Sequence, residues 1–104
     1  MPSHPGEIFL RGVTKRHAPP FRVDRMQHGH PGYRVIDGHG YVVRRYRRWR
    51  YAVAACQAMH VRLGADPPPE IALRRLLYES DWALVREREA RAKEAAARRL
   101  IATA

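Results

Sequence analysis

The chain has 104 residues and a formal net charge of +10 at pH 7. This length gives room for one domain with a modest core. A single cysteine, Cys56, excludes an intrachain disulfide, and no apolar run is long enough for a signal-peptide core or a membrane span. We therefore expect a cytoplasmic protein whose positive charge lies against an anionic partner.

The first segment, residues 1–32, is rich in residues that interrupt regular structure. It contains five prolines, four glycines and four histidines, with no sustained hydrophobic period. Adjacent prolines at Pro19 and Pro20 remove two backbone donors and favour extended geometry before them. The composition predicts an irregular N-terminal arm, with a short strand near residues 7–13.

The next segment, residues 33–43, has the pattern of a β-hairpin. An Asp37-Gly38 pair lies between two β-prone runs, YRVI and HGYVV. Asp-Gly between such runs is a strong sequence signal for a tight hairpin turn. Because an isolated hairpin is marginal in water, we expect it to pack on the following helix or to pair with a strand from the arm.

Residues 44–63 show the period of an amphipathic helix that ends at Gly64. Apolar and semi-polar residues recur every three or four positions and form a core stripe. The opposite arc carries most of the positive charge of this segment. The stripe consists of Tyr46, Trp49, Val53, Cys56, His60 and Leu63, and the arc of Arg44, Arg47, Arg48, Tyr51 and Arg62.

The remainder of the chain favours one long C-terminal helix, although the cap-type residues Ser80 and Asp81 leave a break into two helices open. The run Pro67–Pro69 breaks the preceding helix, and a proline is accepted in the first turn of the next, which should begin near residue 68. Beyond Arg86 the helix loses most of its apolar side chains but keeps Glu-to-basic pairs four residues apart. The overall prediction is a helix-dominated α+β fold, with an arm over 1–32 and a single domain over 33–104.

The most unusual segment of the sequence is the run Tyr41–Tyr51, YVVRRYRRWRY, with five arginines and four aromatic residues. Arginine matches the geometry of phosphate oxygens, and aromatic rings can stack on bases. We therefore expect a non-enzymatic protein that binds nucleic acid through phosphate contacts, without sequence specificity. The candidate binding residues are Arg44, Arg47, Arg48, Arg50, Tyr51 and Arg62.

An alternative function is a protein-interaction module, such as a phage or host adaptor or a component of a particle. In that case the arginines contact an acidic protein, and the C-terminal helix contributes apolar contacts to a partner or to a second copy. The apolar positions do not form a sustained heptad, which favours a short contact or homodimer over a long coiled coil. The candidate contact residues are Leu77, Trp82, Val85 and Leu100.

Two further patterns are weaker. His28, His30, Cys56 and His60 suggest a zinc site, although a cysteine on an apolar helix stripe is more typical of a core. The hairpin-then-helix order, with Asp37 at the turn, is loosely similar to ββα-metal (HNH-type) nucleases. The chain has no asparagine, which that fold uses centrally, so we predict no catalytic site, metal or cofactor.

The composition as a whole indicates an origin. Of the twenty basic residues only Lys15 and Lys93 are lysine, and alanine is abundant, a bias typical of GC-rich genomes. In this respect the chain resembles small arginine-rich accessory proteins of actinobacteria and their bacteriophages. The resemblance implies a bacterial or phage setting and carries no family motif.

Overall fold

The structure is a computed structural model that describes residues 4–13, 16–26 and 29–103. It has the predicted helix-dominated α+β fold. Three antiparallel strands and a long second helix surround a small core. In chain order the elements are a 3-10 helix Pro5–Leu10, strands β1 Arg22–Arg25, β2 Tyr33–Ile36 and β3 Val42–Tyr46, and helices α1 Trp49–Arg62 and α2 Glu70–Thr103.

The sheet has the order β1-β2-β3, with both neighbouring pairs antiparallel. Val23 of β1 lies opposite Val35 of β2, and both side chains are buried against α1. The predicted hairpin is β2 and β3, and its third strand comes from the N-terminal segment. This extra strand supplies the edge pairing that an isolated hairpin lacks.

The turn between β2 and β3 is organised by the buried side chain of Asp37. Its carboxylate accepts hydrogen bonds from the backbone amides of His39 and Tyr41, both at 2.9 Å, and from His17 Nδ1 at 2.8 Å. The amide of Gly38 also donates to the carbonyl of Ala18. The turn thereby fixes the extended segment before β1 against the sheet.

The core lies between α1, the sheet and the 3-10 helix. Three alanines of α1, Ala52, Ala55 and Ala58, are fully buried, and their small side chains let both layers approach the helix closely. The 3-10 helix crosses α1 at Gly6, where any β-carbon would collide with the carbonyl group of Ala54. Burial of α1 on two sides explains its low polarity.

Helix α2 packs on the rest of the domain only through its first third. Leu73 and Leu77 are buried in its first two turns, and Arg25 of β1 forms a salt bridge of 3.1 Å with Asp81. Every residue from 82 to 102 is exposed. The helix therefore projects from the rest of the domain. The whole chain, including the helix, measures 68 × 23 × 22 Å.

Two local predictions are wrong. The N-terminal segment is not irregular throughout: the stretch expected to contain a strand is the 3-10 helix, whose first turn His4 caps with its Nδ1 atom. In addition, α1 begins at Trp49 and not near Arg44, because residues 42–46 pair with β2 as a strand. Cross-strand hydrogen bonds and the β-branched pair Val42-Val43 outweigh the helical spacing of Tyr46 and Trp49.

Candidate nucleic-acid interface

Arg44, expected on a cationic helix face, instead holds the N-terminal segment in place. It lies on β3 opposite Val35, on the side of the sheet that faces the core. Its Nη1 donates to the carbonyl oxygens of Phe9, at 3.4 Å, and of Arg11. These contacts give Arg44 a structural role in the fold.

Arg62 has a similar role at the other end of α1. Its guanidinium forms an ion pair with the carboxylate of Glu7, with Nε at 2.9 Å from Oε1, and its Nη1 lies 3.5 Å from the carbonyl oxygen of Val13. Arg62 is also thirteen residues from Trp49, about 20 Å along the helix. The six predicted residues therefore do not form one surface.

Tyr51 is part of an aromatic cluster rather than a free stacking ring. Its ring centroid lies 5.0 Å from that of Phe9, and the guanidinium of Arg50 lies 4.9 Å from it. Arg50 also donates a 3.0 Å hydrogen bond to the Tyr51 hydroxyl, and this bond together with the positive charge lowers the pKa of Tyr51. Tyr41, next to the hairpin turn, is 69% exposed and offers a more accessible ring.

Arg47 and Arg48 lie at the corner between β3 and the start of α1. Both side chains are exposed, and neither guanidinium has a hydrogen bond or ion pair with any described residue. Arg48 is the N-cap of α1, no side chain caps the helix, and its first turn contains no acid. The free amides and positive dipole end of α1 therefore add to the charge of the two arginines.

Arg34 and Arg45 extend this positive region across the sheet. They are register partners on β2 and β3, one position from the core-facing pair Val35 and Arg44, so they lie on the opposite face of the sheet, where Arg45 is exposed and Arg34 is half-buried. Neither guanidinium has a hydrogen bond or ion pair within the described chain, and Arg34 Nε is shielded from solvent without an acceptor. Asp24, opposite Arg34, is within salt-bridge distance of Arg22 only, at 3.7 Å.

The close approach of β2 to Arg47 joins these two groups. Gly32 precedes β2 with φ of +116°, and a β-carbon at this position would lie 2.6 Å from the Tyr46 carbonyl oxygen and 3.3 Å from Arg47 Cα. Glycine is therefore needed where the chain enters β2. We refer to the four arginines brought together in this way, Arg34, Arg45, Arg47 and Arg48, as the arginine surface.

Sequence reasoning missed half of the arginine surface. Arg34 is part of the predicted hairpin, but the pattern does not show on which side of the sheet its side chain lies. Arg45 falls within the predicted helix over residues 44–63. The signal was the alternation of a strand: in VVRRY, residues 44 and 46 fall on one face and residue 45 on the other. Arg47 and Arg48 were both predicted, although from a helical arc that the structure does not contain.

An open groove of about 930 Å³ lies beside the arginine surface, between β1 and the middle of α2. Its walls carry both signs of charge. The basic side chains include Arg22, Arg34, Arg88 and Arg91, and the acidic ones include Asp24, Asp81 and Glu87. Because three carboxylates line it, the groove is less suited to a polyanion than the sheet corner.

Cys56 and His60 belong to the core and do not form part of a metal site. His60 Nε2 accepts the backbone amide of Phe21 at 3.2 Å, and Nδ1 lies 2.9 Å from the Cys56 carbonyl oxygen. Both ring nitrogens are thus used, and burial raises the pKa of the Cys56 thiol to about 12. His28 lies outside the described residues, within which no group of three His, Cys, Asp or Glu side chains is placed to hold a metal.

The four predicted contact residues of α2 are in different environments. Leu77 is only 6% exposed, because it faces the core one turn after Leu73, so it is not available to a partner. Trp82 and Val85 are exposed at 48% and 42%, and Leu100 near the helix end at 73%.

No helix within the described part of the chain is long and apolar enough to cross a membrane. Comparison with protein-family models, with curated proteins and with solved structures gives no match. The function is therefore inferred from the geometry and charge of the arginine surface.

Proposed function

We propose that this protein is a non-enzymatic nucleic-acid-binding protein that contacts the phosphate backbone through the arginine surface. The observation that carries this proposal is the arrangement of side chains at the start of α1. There Arg47 and Arg48 have no intramolecular acceptor among the described residues, beside an uncapped helix N-terminus. A helix N-terminus and arginine side chains both favour phosphate oxygens.

Electrostatics further supports an anionic ligand. The arginine surface has no carboxylate within ion-pair distance in the described chain, whereas Arg25, Arg62, Arg74, Arg91 and Arg98 all have one. Repulsion among unpaired arginines destabilises the free protein, and bound phosphates remove that repulsion. Contacts to phosphate carry no base information, so we expect binding that is indifferent to sequence.

Charge reversal at the corner tests the site. Arg47→Glu with Arg48→Glu should weaken binding of duplex DNA or RNA by at least about 100-fold. Two attractive contacts become repulsive, and each phosphate contact makes a large contribution to affinity. The measurement is fluorescence anisotropy of a labelled oligonucleotide at low salt. Equal affinity of this variant and the native protein would refute the site.

The matched control changes two exposed arginines elsewhere. Each Arg-to-Glu change replaces a positive charge with a negative one and lowers the net charge by two, so Arg11→Glu with Arg16→Glu lowers it from +10 to +6, as the corner variant does. Neither guanidinium has a hydrogen bond or ion pair within the described chain. An equal loss of affinity in both variants would mean that net charge, and not the arginine surface, determines binding.

A second candidate function is a protein-interaction module in which the same arginines contact an acidic partner, including a phage or host protein. The exposed apolar side chains of Trp82 and Val85 on α2 favour it. The two functions differ in a simple observation. A nucleic-acid-binding protein copurifies with absorbance near 260 nm that high salt removes, and an adaptor does not.

A further inference from the structure

Helix α2 has an apolar stripe on the side that faces away from the core. Its large members follow one another at spacings of seven, four and three residues, which places them on one side of the helix. They are Ile71, Tyr78, Trp82 and Val85, exposed at 72, 61, 48 and 42%. Leu73 and Leu77, by contrast, are 1 and 6% exposed on the docked side.

The stripe continues along the projecting half of the helix with smaller side chains. Arg75 lies on the same side between Ile71 and Tyr78, and Glu89, Ala92 and Ala96 follow Val85. The stripe extends over residues 71–96, roughly 39 Å of helix. It includes an aromatic pair, since the ring centroids of Tyr78 and Trp82 are 6.0 Å apart in an edge-to-face arrangement. We refer to these eight residues as the outer stripe.

The two halves of the outer stripe are complementary in size. When two copies run antiparallel with Trp82 opposite Val85, the large Ile71 of one copy faces the small Ala96 of the other. The same alignment sets Arg75 opposite Ala92 and Tyr78 opposite Glu89. The outer layers thus pair a large side chain with an alanine, which is how layers of a helix pair interdigitate.

Charges beside the stripe favour the same direction. Glu79 and Arg86 have no partner among the described residues. The antiparallel alignment brings Glu79 of each copy next to Arg86 of the other, giving two ion pairs. A parallel pair would instead place Glu89 against Glu89 and Arg75 against Arg75, and like charges in contact are destabilising.

We propose that the outer stripe of α2 binds a second copy of this chain as an antiparallel helix pair, with Trp82 and Val85 at its centre. The pairing goes beyond nucleic-acid binding and does not depend on it. The stripe is on the side of α2 opposite Leu73 and Leu77, so the core of each copy is undisturbed. A dimer of this kind carries two arginine surfaces.

Sedimentation equilibrium at about 100 µM protein, well above a Kd in the low micromolar range, tests the pairing. The native chain should be a dimer, and Trp82→Asp with Val85→Asp should be a monomer with unchanged helical content. Leu84→Asp, on the docked side and 41% exposed, is the matched control and should remain a dimer. A monomeric native chain, or equal dissociation of both variants, would overturn the proposal.

A charge exchange tests the alignment without touching the apolar side chains. Glu79→Arg alone converts two attractive contacts to repulsive ones and should weaken the dimer about tenfold, and Arg86→Glu should do the same. The double variant restores both ion pairs and should recover the native Kd. Independent, additive losses in the double variant would contradict this alignment.

Cysteine trapping tests the direction, because the native Cys56 is fully buried. A mixture of the Ile71→Cys and Ala96→Cys variants should form the mixed disulfide under mild oxidation. Ala96→Cys alone should not cross-link, since the two copies of residue 96 lie roughly 37 Å apart in the antiparallel pair. Efficient Ala96→Cys self-cross-linking would mean a parallel pair and would overturn the proposal.

Discussion

The substitution Asp37→Asn tests the account of the hairpin turn. It keeps the shape of the side chain and removes its charge. The carboxylate accepts three hydrogen bonds, from His17 Nδ1 and from two backbone amides, and the side chains of Asp37 and His17 are only 1 and 6% exposed. Hydrogen bonds to a charged group contribute roughly 1.5 to 3 kcal/mol each, and the amides regain part of this from water. We expect a loss of about 3 kcal/mol in the free energy of unfolding at pH 7.

The loss of stability in Asp37→Asn should become smaller as the pH falls. Burial by itself raises the pKa of the Asp37 carboxyl, but the hydrogen bonds from His17 and the two amides, with the charge of His17, outweigh burial and lower it. A carboxyl whose pKa is lowered by folding stabilises the protein above its unfolded pKa, about 3.9. That stabilisation is lost as the pH falls through the folded pKa. The difference between the native protein and the variant should therefore shrink below about pH 4.

Urea denaturation followed by far-UV circular dichroism measures this difference from neutral to acid pH. Asp66→Asn is the control, because Asp66 is exposed and its carboxylate has no hydrogen bond or ion pair with a described residue. It should change stability by less than about 0.5 kcal/mol at every pH. The reasoning would be refuted if the native protein and Asp37→Asn differed little in free energy of unfolding at pH 7, or if their difference stayed constant down to pH 2.

Three further predictions concern the core and the sheet. His60→Ala removes the acceptor of the buried Phe21 amide and should cost about 3 kcal/mol in urea denaturation, and an unchanged midpoint would contradict that role. Gly32→Ala should cost at least about 2 kcal/mol in thermal melts, more than Gly12→Ala, since both have positive φ but only Gly32 lacks space for a β-carbon. The Cys56 thiol, fully buried and with its pKa raised to about 12, should react with Ellman's reagent only as the protein unfolds. Rapid reaction of the native protein would contradict that burial.

The sequence predicted those parts of the fold that depend on local chemistry. The Asp37-Gly38 pair located the hairpin, and the proline run before Glu70 located the break between the two helices. The i,i+4 pairs Glu87 with Arg91 and Glu94 with Arg98 are present, at 2.5 and 2.7 Å. Each of these features involves residues that are close in sequence.

The errors arose where distant segments decide the structure. Tyr46 has the right spacing for the stripe of α1, yet its pairing with Tyr33 makes it part of a strand. Its hydroxyl donates to the Phe9 carbonyl oxygen at 2.8 Å, and partial burial raises the pKa of Tyr46 to about 12. The third strand, β1, lies in a segment whose sequence shows no hydrophobic period. Such contacts depend on tertiary pairing, which a short sequence window does not encode.

The candidate site was limited by the same effect. Arg44 and Arg62 resemble free surface arginines in sequence, and only the position of the 3-10 helix shows that they bind its carbonyl and carboxylate groups. Arg45, one residue from Arg44, has no such partner because a strand alternates its faces. A correct assignment of the strand would have separated these neighbours from the sequence alone.

The most direct test of nucleic-acid binding is the affinity of the native protein for duplex DNA and for RNA as a function of salt. If the four arginines of the arginine surface each neutralise a phosphate, affinity should fall roughly 100-fold between about 50 and 200 mM salt. We expect this steep decrease, with similar affinities for unrelated sequences. Affinity that is independent of salt, or no binding even at low salt, would contradict it.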